Sequence, residues 1–252
     1  MHILLTNDDG ISAPGLIAIY NELIAIADVT VIAPSQVRSG ASHSVSLCPV
    51  TCKKVTIEDA FTGYSINGSP ADCVKLAMME IIDTKSNPVD MVVSGMNYGA
   101  NIGVYTHYSG TVAAAREAAF CGVPGIALSA AYNDDLDFAK AAKLGFSVIQ
   151  KLLPLSWPDI ISINLPNITE APSKGVKVLP NSTNVYDESY SARTCEKGHT
   201  TYQYLGGPHT DEPGVPADTI ALHEGYVTVS ALLFEMTDFT RNEKLNEINF
   251  ND

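Results

Sequence analysis

No apolar run in the 252 residues approaches the roughly 20 needed to cross a bilayer, and the start of the chain has no basic stretch followed by a long apolar one. The expectation is a soluble cytoplasmic protein with no membrane partner. Cysteine is sparse, with five residues at positions 48, 52, 73, 121 and 195, an odd number containing no CxxC pair. That argues against a disulfide scaffold and for reduced, mostly buried thiols. Cys48 and Cys52 have neither neighbouring histidines nor further cysteine pairs, so they make a poor zinc site. Positive charge is also scarce: 15 basic against 28 acidic residues give a formal charge of −13, which disfavours a nucleic-acid duplex as partner. A small anionic substrate needs local positive charge in such a chain, and a cation held by carboxylates would supply it. There is no internal repeat or low-complexity tract, and of six scattered histidines only His43 and His107 fall in candidate site loops.

What is present is enough apolar material, 46% of residues, for one sizeable core with a smaller lobe attached. The organising stretch is ILLTNDDGISAPG, Ile3–Gly15. Ile3, Leu4 and Leu5 show no polar alternation and suit a strand buried on both faces of a parallel sheet. Asp8 and Asp9 then stand where that strand stops. Adjacent carboxylates repel one another, so water, a shared proton or a cation must offset them. A solvated turn is the plain alternative, since Asn, Asp and Gly are ordinary turn residues. The carboxyl end of a strand in an open α/β sheet, however, is where ligands bind.

Ser12 as cap and Pro14 in the first turn open a helix whose apolar residues run from Leu16 to Ile26, and Val29–Ala33 follows as a second strand. This is a βαβ unit. The loop Ala33–Ser44 would bring Ser39 and Gly40 to the same sheet edge as the aspartates, although this stretch taken alone reads as a plain connecting loop. Val45–Leu47, Val50–Ile57 and Tyr64–Ile66 read as short strands of a hairpin-like excursion. Ser69-Pro70-Ala71-Asp72 reads as a capped helix start. After the strand Val89–Val93 comes Ser94–Thr111, with four glycines and two asparagines, a connection too long to be idle in a compact domain. It leads through Ser109-Gly110-Thr111 into an alanine-rich helix, Val112–Phe120, whose N-terminus suits a phosphate, with a cap by Thr111 as the plain alternative. Pro124–Ser129 and Asp159–Leu165 are further strands around a long helix, Leu136–Leu153.

The fold expected is α/β: a doubly wound, Rossmann-like, mostly parallel sheet of five or so strands over residues 1–166. Residues 167–252 read as a smaller β-rich extension and tail, with strands at Val176–Leu179, Tyr202–Leu205 and Tyr226–Leu233, a short helix at Asp218–Glu224 and a frayed polar tail from Arg241.

Several separated motifs are similar to those of the SurE, or survival protein E, phosphatases, also described as 5′-nucleotidases. They are LLTNDDG, APSQVRSGASHSVSL, NGSPADCVKLA, SGMNYGANIG with YSGTVAAAREA, GVPGIALS and ISINLP, in the family's order over most of residues 3–166, with GYVTVS near position 225. The resemblance implies a metal-dependent phosphomonoesterase acting on nucleoside monophosphates. It also implies Asp8, Asp9, Ser39 and Asn97 as ligands of one divalent cation per subunit, with Asp8 and Asp9 in the catalytic role. Ser109, Gly110 and Thr111, with Asn97 and Gly40, would meet the phosphate. All-oxygen donors independently fit Mg²⁺ or Mn²⁺ rather than zinc. The resemblance further implies a homodimer or homotetramer joined through the C-terminal part. Two departures stand out. Val104 and Tyr105 occupy the place of the family's usual acids before YSGT, and Ser230-Ala231-Leu232 replaces its usual Thr-Pro-Leu.

The attacking group is either a water or an aspartate, with Asp8 the candidate if it is a carboxylate. Haloacid-dehalogenase-type phosphatases are a rival reading, but they expect DxD and a later lysine where this chain has contiguous DD and no lysine in the site loops. A nucleotide-binding or sensory protein without turnover, and a structural α/β protein, are the rivals from other classes.

Overall fold

The computed structural model describes residues 1–169, 171–184, 187–194, 198–207 and 216–249. Cys195 and the last three residues of the expected tail lie outside them. Strand β1 (His2–Thr6) is followed by α1 (Pro14–Leu23), β2 (Asp28–Pro34), the hairpin β3 (Cys52–Ile57) and β4 (Phe61–Ile66), and α2 (Pro70–Leu76), which runs into a π turn over Ala77–Ile81. Then come β5 (Met91–Tyr98), a 3₁₀ turn at Gly103–His107, α3 (Gly110–Phe120), β6 (Gly125–Ala130), α4 (Phe138–Leu152) and β7 (Ile160–Leu165). The remainder adds β8 (Val176–Val178), β9 (Ser189–Thr194), β10 (Thr200–Gly206), α5 (Asp218–His223), β11 (Val227–Ala231) and α6 (Phe239–Leu245).

Nine strands form one sheet in the order β3-β4-β2-β1-β5-β6-β7-β11-β8, and β9 pairs with β10 in a separate antiparallel ribbon. From β4 to β7 every neighbouring pair is parallel. Counted along the chain, these six parallel strands lie in the order 3-2-1-4-5-6, the doubly wound arrangement. The order reverses between β1 and β5, so a crevice opens at their carboxyl ends. The sheet runs past residue 166, because β11 pairs antiparallel with β7 and parallel with β8.

Both faces of β1 are covered, which is why its apolar residues do not alternate with polar ones. Ile3 and Leu5 join the core under α1 and α4, while Leu4 joins the core under α2 and α3. Helix α1 lies so close to β5 that a Cβ on Gly15 would run into the Met96 carbonyl oxygen. Glycine there sets how tightly the helix rests on the strand that carries Asn97.

Several local expectations differ from what forms. Ala13, not Ser12, is the N-cap residue of α1, and no side chain caps that helix, although Pro14 does open it. Val45–Leu47 is irregular chain with Leu47 almost fully exposed, so its apolar residues have no sheet to join. Ser109, not Thr111, caps α3 by accepting the Val112 N–H. The strand expected at Val89–Val93 instead runs Met91–Tyr98, with a register irregularity between Ser94 and Asn97 and Gly95 at φ 141°. The polar run Ser189–Thr194 forms a strand that had no signal, and the tail contains α6, capped by Asp238. Ser69 and Asp72 form the expected reciprocal cap of α2. Among the described residues no helix is long and apolar enough to cross a membrane.

Candidate active site at the carboxyl ends of β1 and β5

The turn after β1 is fixed by its own side chain. Asn7 donates from Nδ2 to the Gly10 carbonyl oxygen (2.9 Å) and accepts the Gly10 N–H at Oδ1 (3.1 Å). Gly10, at φ 102°, closes the turn, and the Ile11 N–H reaches the Pro34 carbonyl at the end of β2 (2.8 Å). Asp8 and Asp9 form the two corners of that closed loop.

Three other elements converge on the pair. The Thr111 hydroxyl donates to Asp8 Oδ1 (2.7 Å), the Arg38 N–H donates to the Asp8 carbonyl (2.7 Å), and the Tyr98 N–H donates to Asp9 Oδ2 (3.0 Å). Gly110 is packed against Asp8: a Cβ there would lie 3.0 Å from Asp8 Oδ2 and 3.1 Å from Pro70 Cγ. The N-terminus of α3 is therefore set directly against the first aspartate.

A cavity of about 570 Å³ opens at this point, lined by buried Asp8, Asn97 and Ser109 and by exposed Ser39 and Gly40. Its outer wall is made by Tyr105, Tyr108, Glu188, Tyr190 and Tyr204. Asp9, Gly110 and Thr111 stand outside the wall: Asp9 is half-buried, and the other two are buried with Thr111 turned onto Asp8. Asn97 donates from Nδ2 to the Gly99 carbonyl (2.6 Å), so the amide offers the cavity its acceptor oxygen.

Electrostatics make the pair a poor home for two bare negative charges. Burial pushes the Asp8 pKa up to about 6; the Thr111 hydrogen bond opposes that shift and the charge of Asp9 adds to it. Burial also raises Asp9, against the Tyr98 N–H. Two carboxylates, a serine hydroxyl and an amide oxygen are hard donors of the kind Mg²⁺ and Mn²⁺ take. Among the described residues no group of three or more His, Cys, Asp and Glu forms a metal cage, so neutral oxygens would have to complete any cation's shell.

The loop carrying Ser39 has no regular structure, and side chains hold it instead. Ser42 donates its N–H to the Tyr108 carbonyl (2.9 Å) and its hydroxyl to the His107 carbonyl (2.7 Å). Ser69 donates to the Ser44 carbonyl (2.6 Å), and Ser46 donates N–H and hydroxyl to Asp72 (2.9 and 2.7 Å). His43 stacks on Phe120 and meets buried Glu117 at 2.8 Å, where Lys75 also lies at 2.8 Å. Burial raises the Glu117 pKa, but the bonds from His43 and Lys75 outweigh it and hold the carboxyl below its ordinary value. His43 and His107 thus serve the loop rather than line the cavity.

The sequence reading missed Asn7 as the turn's brace and Thr111 as the partner of Asp8. A signal existed for Asn7, since an Asn three residues before a Gly favours a side-chain-closed turn. Tyr190, Tyr204 and Glu188 come from segments with no local mark of function, whereas Tyr105 and Tyr108 lie in the long Ser94–Thr111 connection.

The chain is similar to known proteins over nearly its whole length. The family model described as survival protein SurE matches residues 3–188. The protein called 5′-nucleotidase SurE in Petrotoga mobilis is 37% identical over 242 residues, 95% of each chain. The one in Rhodopirellula baltica is 38% identical over 251 residues, 98% of this chain and 97% of its own. The crystal structure of the SurE protein from Aquifex aeolicus superposes with a TM-score of 0.83 at 31% identity, covering 98% of this chain and all of the other.

Because the folded state holds the Glu117 carboxyl below its ordinary value of 4.5, its stabilisation is fully present above that pH and is lost as pH falls through the lower, folded value. Glu117→Gln should therefore cost about 1–3 kcal/mol at pH 7, less than for a fully buried pair because His43 and Lys75 keep some solvent. The gap from the wild type should narrow as pH falls below 4.5 in urea denaturation. A gap that does not vary with pH would contradict the ion-pair reading.

Proposed function

This chain belongs to the SurE family, and from that premise we propose that it is a divalent-cation-dependent phosphomonoesterase. It hydrolyses nucleoside 5′-monophosphates, and 3′-monophosphates as well, to nucleoside and phosphate. The observation that carries the reading is the abutment of buried Asp8 against the N-terminus of α3, with Ser39, Asn97 and Ser109 in the same cavity wall.

Asp8, Asp9, Ser39 and Asn97 would hold one Mg²⁺ or Mn²⁺ per subunit. A cation bound there supplies positive charge to the phosphoryl oxygens as charge builds in the transition state. Thr111 and the Tyr98 N–H orient the two carboxylates and keep them from turning toward solvent. The first turn of α3 presents backbone N–H groups and the positive end of a helix dipole to the remaining phosphate oxygens. Ser109, itself in the cavity lining, anchors that turn by taking the Val112 N–H. Gly40, at φ 70° and with open space beside it, lets the Ser39 loop pass close to the substrate.

The reading includes residues 1–166 as the catalytic core and 167–252 as an extension that completes the site and joins subunits. Exposed Leu233, Met236 and Phe239, at 80%, 86% and 62%, support a homodimer or homotetramer. Free thiols at Cys48, Cys52, Cys73 and Cys121 fit a reducing compartment, the cytoplasm.

Phosphate release from a panel of nucleoside monophosphates with Mn²⁺ tests the activity. It should vanish with chelator and fall by at least a hundredfold in Asp8→Asn and Asp9→Asn. Tight nucleotide binding without turnover across several metals would favour a binding protein instead. Thr111→Val removes the hydroxyl from Asp8 and should weaken Mn²⁺ affinity or activity by about 10- to 100-fold, read from the Mn²⁺ dependence of the rate. Light scattering on a size-exclusion column should give two or four chains per particle, and a monomer at micromolar concentration would refute the assembly.

A further inference from the structure

The cavity has a second end that phosphate chemistry does not use. Tyr105, Tyr108, Tyr190 and Tyr204 form its outer wall, from two distant parts of the chain. Tyr105 lies in the 3₁₀ turn before α3 and Tyr108 follows at its end, with ring centroids 6.5 Å apart. Tyr190 and Tyr204 come from the β9–β10 ribbon, with centroids 5.4 Å apart.

Hydroxyl groups tie the two pairs together. Tyr204 stands 2.7 Å from Glu188 Oε1 and 3.0 Å from the Tyr105 hydroxyl. A carboxylate oxygen only accepts, so the single Tyr204 proton goes to Glu188, and Tyr105 must donate to Tyr204. The chain of bonds fixes Tyr105 and Tyr204, against which the rings of Tyr108 and Tyr190 pack, and leaves ring faces uncovered: Tyr108, Tyr190 and Tyr204 remain 57%, 64% and 40% exposed. Aromatic rings held in place yet left uncovered gain the most from a flat, apolar ligand that shields them from water. At about 570 Å³ the cavity lies within the ordinary range of roughly 300–1,000 Å³ for small-molecule sites.

We propose that these four tyrosines, two of them locked by the Tyr105–Tyr204–Glu188 hydroxyl chain, form the base-binding wall of the site and select nucleotides over other phosphate esters. The assignment rests on the nucleotidase reading and extends it to the residues that recognise the base. Stacking accepts any base, and purines, with the larger π face, are favoured several-fold.

Ribose 5-phosphate, which is a nucleoside monophosphate without its base, isolates the contribution. With Mn²⁺ and the full chain, kcat/KM for AMP over that for ribose 5-phosphate should exceed ten in the wild type and fall roughly tenfold in Tyr204→Ala and Tyr105→Ala. Tyr204→Phe keeps a ring and should retain most of the ratio. Calorimetric binding of adenosine, which carries no phosphate, gives a readout independent of turnover and should weaken in the same alanine variants. Tyrosine-dependent adenosine binding with no nucleotide hydrolysis would sink the nucleotidase reading and keep the base wall. Nucleotide hydrolysis with an AMP to ribose 5-phosphate ratio near one, or a ratio unmoved by Tyr204→Ala, would overturn the base wall and keep the nucleotidase. A Tyr204→Ala variant that changes only the number of chains per particle would assign the ring to a subunit contact and likewise overturn the proposal.

Discussion

Two carboxylates side by side at the buried end of a central strand are the constraint on which the rest of this site turns. Asp8 and Asp9 cannot move apart, because Asn7 and Gly10 close the turn that holds them. Neither can they escape into water, since Thr111 and the Tyr98 N–H each take one of their oxygens. The strain is electrostatic rather than steric: burial raises both pKa values, and Asp8 rests near 6. A cation bound there would reverse the sign of that effect by favouring the charged form of both carboxylates. The bonds that confine the pair are also the bonds by which α3, the β2 loop and β5 meet, so the electrostatic problem and the assembly of the crevice share one solution.

The loop after β2 shows the same economy in a segment without regular structure. Buried backbone groups must be paired somewhere, and here the partners are the serines at 42, 44, 46 and 69 with Asp72 and the carbonyls before α3. Asp72 acts twice, closing the reciprocal cap of α2 and receiving Ser46. Burial raises its pKa, but the bonds from Ser46 and Ser69 outweigh that and leave it below the ordinary value. Glu117, deeper and on α3, fastens the loop from the other side through His43. Ser39 therefore hangs between two anchored points although no helix or strand contains it.

How far the sequence disclosed this depends on where each residue's environment comes from. Strands β1, β2, β6 and β7 are legible because they are short, mostly buried runs dominated by apolar residues. Strand β5 is legible only to Val93, since its second half is Ser94-Gly95-Met96-Asn97 and owes its extended form to neighbours on each side. Val45–Leu47 misleads for the opposite reason: its pattern suits a strand, but no partner edge is there to pair with it. In the site, Asp8 and Asp9 stand out because they lie just past the carboxyl end of a strand, while Ser39 and Asn97 are singled out as ligands through the family motifs. Tyr190, Tyr204 and Glu188 do not stand out, because they lie on a ribbon whose residues are nearly all exposed, and only its approach to the cavity gives them meaning.

Charge explains why such a site suits a chain with a formal charge of −13. The described lining of the cavity holds neither Lys nor Arg, and Arg38, next to Ser39, directs its guanidinium to Asn67 instead (2.9 Å). Side-chain cations are thus absent from the described wall where a phosphate would sit. Backbone N–H groups at the start of α3 and a cation on the aspartates are then the available sources of positive potential. Both act over a few ångströms and are screened beyond about 10 Å. A small phosphate ester that enters the cavity meets them, whereas an extended polyanion meets mainly the acidic exterior. The acidic surface and the oxygen-lined crevice are therefore consistent parts of one selectivity, for compact anions over long ones.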